Sequence, residues 1–176
     1  MGNPYSADQW IDRAQAALDR SDLEEARRCW REALECDPAE CAELIGLGRI
    51  AALLQDHAGA REAYRRAAAL AADPILFEAE YGAAVGSNGL GEYADAITTF
   101  ERILPRLRDA AHPLYPNALY GLACARYNTG RAADAARLLE ECVTLRFEHR
   151  EAWHLLAKAL RGCGRPHDLW RIASRI

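Results

Sequence analysis

The side chains best suited to chemistry gather late in the chain: His149 and His154 stand five residues apart, Cys163 and His167 four apart, and Cys124 lies upstream. A structural zinc ion needs four nitrogen or sulfur donors around it. A spacing of five places His149 and His154 on different faces of a helix, and Gly164 and Pro166 interrupt any helix joining Cys163 to His167. A nucleophilic Cys124 would need a neighbouring base or cation to lower its pKa, and its alanine-rich surroundings supply none. The sequence therefore predicts no metal, no cofactor and no catalytic set, and the chain is expected not to be an enzyme. The six cysteines, Cys29, Cys36, Cys41, Cys124, Cys142 and Cys163, are scattered and are expected to be reduced thiols filling helix contacts.

The chemistry that remains is recognition, which needs elements to present it. The chain has 176 residues, 19.5 kDa and a formal net charge of −4. That length can bury a sizeable core, and Ala, Leu, Glu and Arg dominate over strand formers, so an all-α fold is expected. The acidic balance, pI about 5.8, argues against a nucleic-acid protein working through phosphate contacts. No apolar leader and no long uncharged apolar run is present, so neither a membrane span nor export is expected, and the predicted location is cytoplasmic. Met1 to Ser6 fits a loose myristoylation pattern, but Ser6 with Gln9 is better read as a capping box that opens a helix.

The stretch SDLEEARRCWREALECDP, residues 21 to 38, sets Ala26, Trp30 and Ala33 on one helical face, with Ser21 and Glu24 as a capping box and Asp37-Pro38 opening a following helix. Small, large, small makes a knob between shallow holes, which suits close helix packing. The pattern returns as Ala60, Tyr64 and Ala67 after 34 residues, Ala96, Phe100 and Ile103 after 36, Ala135, Leu139 and Cys142 after 39, and weakly as Leu169 and Ala173. A second amphipathic helix precedes each: Trp10 and Ala14; Leu44, Leu47 and Gly48; Leu119, Leu122 and Ala123; Trp153, Leu156 and Ala157. Ten helices are predicted, near 7–19, 22–36, 38–54, 57–71, 74–87, 91–110, 114–128, 131–145, 148–162 and 165–175. About five extra residues fall within 105–116, as a longer loop that is either functional or a plain spacer, and Pro105 is expected to kink or end its helix.

In this combination the sequence resembles the tetratricopeptide repeats. The resemblance runs from about Ala7 to Ile176, with departures at Glu80, where a large residue is usual, and at Phe147, where proline is usual. It implies a right-handed α-solenoid of tandem helix hairpins: a tail at 1–6 and one domain at 7–176, with repeats near 7–40, 41–76, 77–115, 116–149 and 150–176. It also implies a non-catalytic adaptor or scaffold that binds a peptide or protein segment in a concave groove lined by the first helix of each hairpin.

Residues at one phase of those helices are the candidate contacts. They are Ile11, Gln15 and Leu18; Ile45, Arg49 and Ala52; Tyr81, Val85 and Asn88; Tyr120, Cys124 and Tyr127; and His154, Lys158 and Arg161. The first are aliphatic with Asp8, Asp12 and Asp19 nearby, the middle set carries tyrosines and the last is basic. Tyrosines suit a peptide interface, although they can instead pack against the next repeat. Some tetratricopeptide domains clamp a partner's terminal carboxylate; of the corresponding positions here only Arg49 could contribute, so such a clamp is not expected. The alternative is a homo-oligomer joined through the last helix, DLWRIASRI, where Leu169, Trp170, Ile172 and Ile176 have no following helix to cover them.

Overall fold

The computed structural model describes residues 5–36, 41–70 and 75–174. The expected helix start at Asp37-Pro38, the first residue of the helix expected at 74–87, the first residues of the myristoylation pattern, and Ile176 lie outside them. Ten helices occupy the described residues: α1 Ala7–Asp19, α2 Leu23–Cys36, α3 Cys41–Leu53, α4 His57–Leu70, α5 Ile75–Gly89, α6 Tyr93–Asp109, α7 Tyr115–Asn128, α8 Ala132–Leu145, α9 Arg150–Gly162 and α10 Asp168–Ala173. The all-α expectation and the helix count hold.

The chain divides into two compact units, Met1–Leu90 and Gly91–Ile176. In the first, each helix packs on the next from α1 to α5, and α3 also meets α5. In the second, α6 to α10 pack in order and α7 also meets α9. The A helices α3 and α5 thus lie beside one another in the first unit and α7 and α9 in the second, with α4 and α8 packed against both members of each pair, as expected of hairpins in tandem.

The small-large-small template is the packing core: Ala26, Trp30, Ala33, Ala60, Tyr64, Ala67, Ala96, Phe100, Ile103, Ala135, Leu139 and Cys142 are all buried. The large member is seated on a glycine of an A helix. A methyl group built on Gly46 would stand 2.6 Å from the Trp30 indole, one on Gly82 2.6 Å from the Tyr64 ring, and one on Gly121 2.4 Å from Phe100. Tyr64 is closed on its other side as well, where a methyl on Gly48 would come within 2.8 Å. Carbon atoms in contact prefer about 3.5–4.0 Å, so glycine is required for the rings to approach at all.

Three details depart from the sequence reading. Ser6 and Gln9 do form the reciprocal capping box of α1, but Ser21 does not cap α2. It sits in the hairpin turn at φ 59°, and the cap is Asp22, whose carboxylate accepts from the Glu25 amide at 3.1 Å. Asp56 does the same for α4, accepting from the Gly59 amide at 2.8 Å. A positive φ returns in the later A-to-B turns at Gln55, Gly91, Gly130 and Gly164; within each unit this reverses the chain tightly enough for the helices of a hairpin to lie antiparallel.

Of the two outcomes expected at Pro105, an end to the helix does not occur: α6 continues to Asp109, close to the predicted 110, with Ile103, Leu104 and Leu107 on both sides of the proline buried. The missing proline amide costs one backbone bond, and the anchored side chains outweigh it. The extra residues of this repeat therefore mostly lengthen a helix rather than a loop. Glu80, the other departure, is buried in α5, and Phe147 is 56% exposed. Phe147 still organises the turn into α9: its ring meets Trp153 edge-on at 5.8 Å and its carbonyl accepts from the Trp153 indole at 2.8 Å.

Candidate functional site

In the first unit the predicted contact residues converge. Ile11, Gln15 and Leu18 of α1, Ala42, Ile45, Gly46, Arg49, Ile50 and Leu53 of α3, Trp30 of α2 and Glu78 of α5 line one depression of about 430 Å³. Its walls are largely aliphatic. Trp30 reaches it from behind because Gly46 offers no side chain to stop the indole. Leu53, 59% exposed, stands at the rim.

The charge within the depression is neutralised locally. The Arg49 guanidinium bonds the Glu78 carboxylate at 2.7 Å and 2.5 Å, joining α3 to α5. An Arg49 so engaged is poorly placed to hold a terminal carboxylate as well, in keeping with the absence of a clamp from the sequence expectations. Beside this pair lies Tyr64, whose hydroxyl is pushed up to about 12 by burial, with Glu78 adding to the effect. Tyr81 and Asn88 are half-buried in α5, while Val85 is exposed; none of the three lines the depression.

In the second unit Tyr120 and Tyr127 of α7 are both half-buried. Tyr120 rests against the imidazole of His149, ring centres 4.7 Å apart, and its hydroxyl hydrogen-bonds Cys124. His149 also caps α9, accepting from the Ala152 amide at 3.3 Å. Tyr120 is thus held partly by the next repeat, the alternative the sequence left open. His154, Lys158 and Arg161 run along the exposed side of α9, and the side chains of Lys158 and Arg161 make no hydrogen bond or ion pair among the described residues.

The thiols are poor nucleophiles in this setting. Burial pushes Cys29, Cys124 and Cys142 above the ordinary thiol range, Cys142 to about 11, and the Tyr120 hydroxyl only partly offsets this at Cys124. A raised pKa means that folding favours the protonated form. The Cys142 contribution is therefore complete below the ordinary thiol pKa and is lost as pH climbs toward about 11. At about pH 8 a thiol reagent should modify exposed Cys36 rapidly but reach buried Cys29 and Cys142 only as the chain opens. Equal rates at all three in the folded protein would contradict this packing.

No described helix is long and apolar enough to cross a membrane, and no group of three or more His, Cys, Asp or Glu residues able to hold a metal ion occurs among the described residues. Trp30, Ala42, Gly46, Ile50, Leu53 and Glu78 also line the depression and are not among the contacts expected from the sequence. Trp30 was assigned to the core, and Leu53 lies one position beyond Ala52, where the i+8 step from Ile45 replaces i+7.

Solved structures share the fold. MamA 41-end from Desulfovibrio magneticus RS-1 superposes with a TM-score of 0.80 at 20% identity, covering 96% of this chain and 92% of its own. PilW, described as a widely conserved type IV pilus biogenesis factor, gives 0.78 at 19% identity, covering 96% and 76%. A putative kinesin light chain of Podosopora anserina with nearly identical tetratricopeptide-like repeats gives 0.76 at 16% identity, covering 95% and 91%. No curated protein matches the chain in sequence. The sequence model of the tetratricopeptide repeat matches residues 11–74 and 89–146, well over half the chain. The hairpins, the small-large-small core and this match agree: the chain belongs to the tetratricopeptide repeat family and is a protein-interaction module.

Proposed function

We propose that the exposed faces of the A helices are the working surface and that the chain acts as a non-catalytic adaptor for a peptide or protein segment, without nucleic acid and in the cytoplasm. The observation that carries this reading is the aliphatic depression formed by Ile11, Leu18, Ile45 and Leu53 with Gln15 and Arg49 at its edge. It offers apolar area to bury and polar groups to orient a backbone, the usual division of labour in a binding groove. Tyr81 and Asn88 extend this face along α5. In the second unit Tyr120, Tyr127, His154, Lys158 and Arg161 form the corresponding face, with the tyrosines supplying contact area and the cations steering association.

The test uses proteins that co-purify with the full chain. Ile11→Ser combined with Leu53→Ser should weaken their binding at least tenfold, about 1.4 kcal/mol, with helicity unchanged by circular dichroism. Glu24→Gln on α2 should leave binding intact. Unchanged affinity in the double variant would remove the A-helix face as the working surface.

A second reading has its own support. Trp170 of α10 is 83% exposed, while Ile172 of the same helix is buried. An indole left in water is a candidate contact with a second copy, and homo-oligomerisation through α10 would cover it. Light scattering should then show an oligomer that Trp170→Glu reduces to monomer; a monomeric wild type at high concentration would end this alternative.

A further inference from the structure

The partner's chemistry can be read from what borders the first unit's depression. At about 100° per residue, Asp8, Asp12 and Asp19 fall in one stripe along α1, immediately outside Ile11, Gln15 and Leu18. All three aspartates are exposed. Among the described residues the side chains of Asp8 and Asp12 take part in no hydrogen bond or ion pair, and that of Asp19 only accepts from Gln15 at 3.3 Å.

Among the described residues no cation pairs with them. Arg13 and Arg20 fall roughly 100–120° around α1 from the centre of the stripe, and Arg13 is engaged with Glu25 at 3.7 Å and lies over the Tyr5 and Trp10 rings. Arg49, on α3, is neutralised by Glu78. The helix itself does not account for the stripe either. Asp8 suits the N-terminal end of α1, but Asp19 stands in its last turn, where the helix dipole disfavours an anion. An aliphatic depression is therefore edged on its α1 side by three carboxylates that no described cation pairs with.

We propose that this groove takes an amphipathic segment with aliphatic residues on one face and lysine or arginine along the flank that meets Asp8, Asp12 and Asp19. Its aliphatic side chains enter between α1 and α3, and its cations line up with the carboxylates. Charge at such a rim selects the partner and sets the association rate and its salt dependence, while the apolar contacts hold the complex. This rests on the A-helix face being the binding surface, and the experiment separates the two.

Labelled amphipathic peptides of equal length, one leucine/lysine and one leucine/glutamate, are titrated by fluorescence anisotropy against the full chain. The leucine/lysine peptide should bind at least tenfold more tightly at low ionic strength, with the gap narrowing as salt is added. Replacing the stripe by Asp8→Asn, Asp12→Asn and Asp19→Asn should remove most of that gap. The same charge change placed elsewhere, Glu24→Gln, Glu35→Gln and Glu62→Gln, should preserve it. Equal binding of the two peptides, no binding of either, or an identical loss in the control triple variant overturns the proposal. If Ile11→Ser with Leu53→Ser leaves the leucine/lysine affinity unaltered, it is the groove reading that fails.

Discussion

Gly82→Ala should destabilise the protein by roughly 1–3 kcal/mol, although alanine is the better helix former by about 1 kcal/mol. The two effects have opposite signs, so the measurement decides between them. Gly82 lies inside α5, where a methyl group would stand 2.6 Å from Cδ2, Cε2 and Cζ of Tyr64. The ring cannot swing away, because Gly48 of α3 bounds its opposite side and a Cβ there would already be within 2.8 Å of it. Relief has to come from separating α4 from α3 or α5. Thermal unfolding of Gly82→Ala should show a lowered midpoint, and adding Tyr64→Leu should recover part of the loss rather than add to it, since the smaller side chain vacates the clash. A midpoint unchanged or raised in Gly82→Ala would mean that the Tyr64 seat is not tight.

The second large effect belongs to the other unit. Phe100 is fully buried in α6, with its ring tip over Gly121 of α7. Phe100→Ala should cost about 3–5 kcal/mol, the lost transfer energy plus the cavity left behind. Gly121→Ala alone should also destabilise, by overpacking. In the Phe100→Leu background the same Gly121→Ala change should be far milder, because the clashing ring tip is gone. Denaturant unfolding of the four proteins gives the coupling directly. Strict additivity would separate the two positions and contradict the seat.

These pairs mark where the sequence was readable and where it was not. Ala26, Trp30 and Ala33 lie on one helix, so the 3.6-residue period reveals them, and all are buried as that period predicts. The partner glycines lie on another helix, 16 residues beyond Trp30, 18 beyond Tyr64 and 21 beyond Phe100. That interval is fixed by how long the connection happens to be, and no helical period encodes it.

Capping shows a smaller version of the same limit. Ser21 and Asp22 are adjacent and either can cap a helix, but the turn requires a left-handed residue at one of them, and that demand arises from the hairpin, not from the local sequence. The face of α1 was legible because Ile11, Gln15 and Leu18 keep phase over a short helix. On α3 the phase drifted by one residue, which put Leu53 into the depression where Ala52 was expected. Tyr120 could not be placed from sequence at all, since its neighbour His149 belongs to the cap of a helix that starts far downstream.

The claim that α1 and α3 carry the working surface meets its most direct test in methyl NMR of the full chain during titration with the leucine/lysine peptide. The largest shift changes should fall on Ile11, Leu18, Ile45 and Leu53 and saturate together. Perturbations confined to Leu169 and Ile172 of α10 or to the outer faces of the B helices, with Ile11 and Leu53 unmoved, would contradict it.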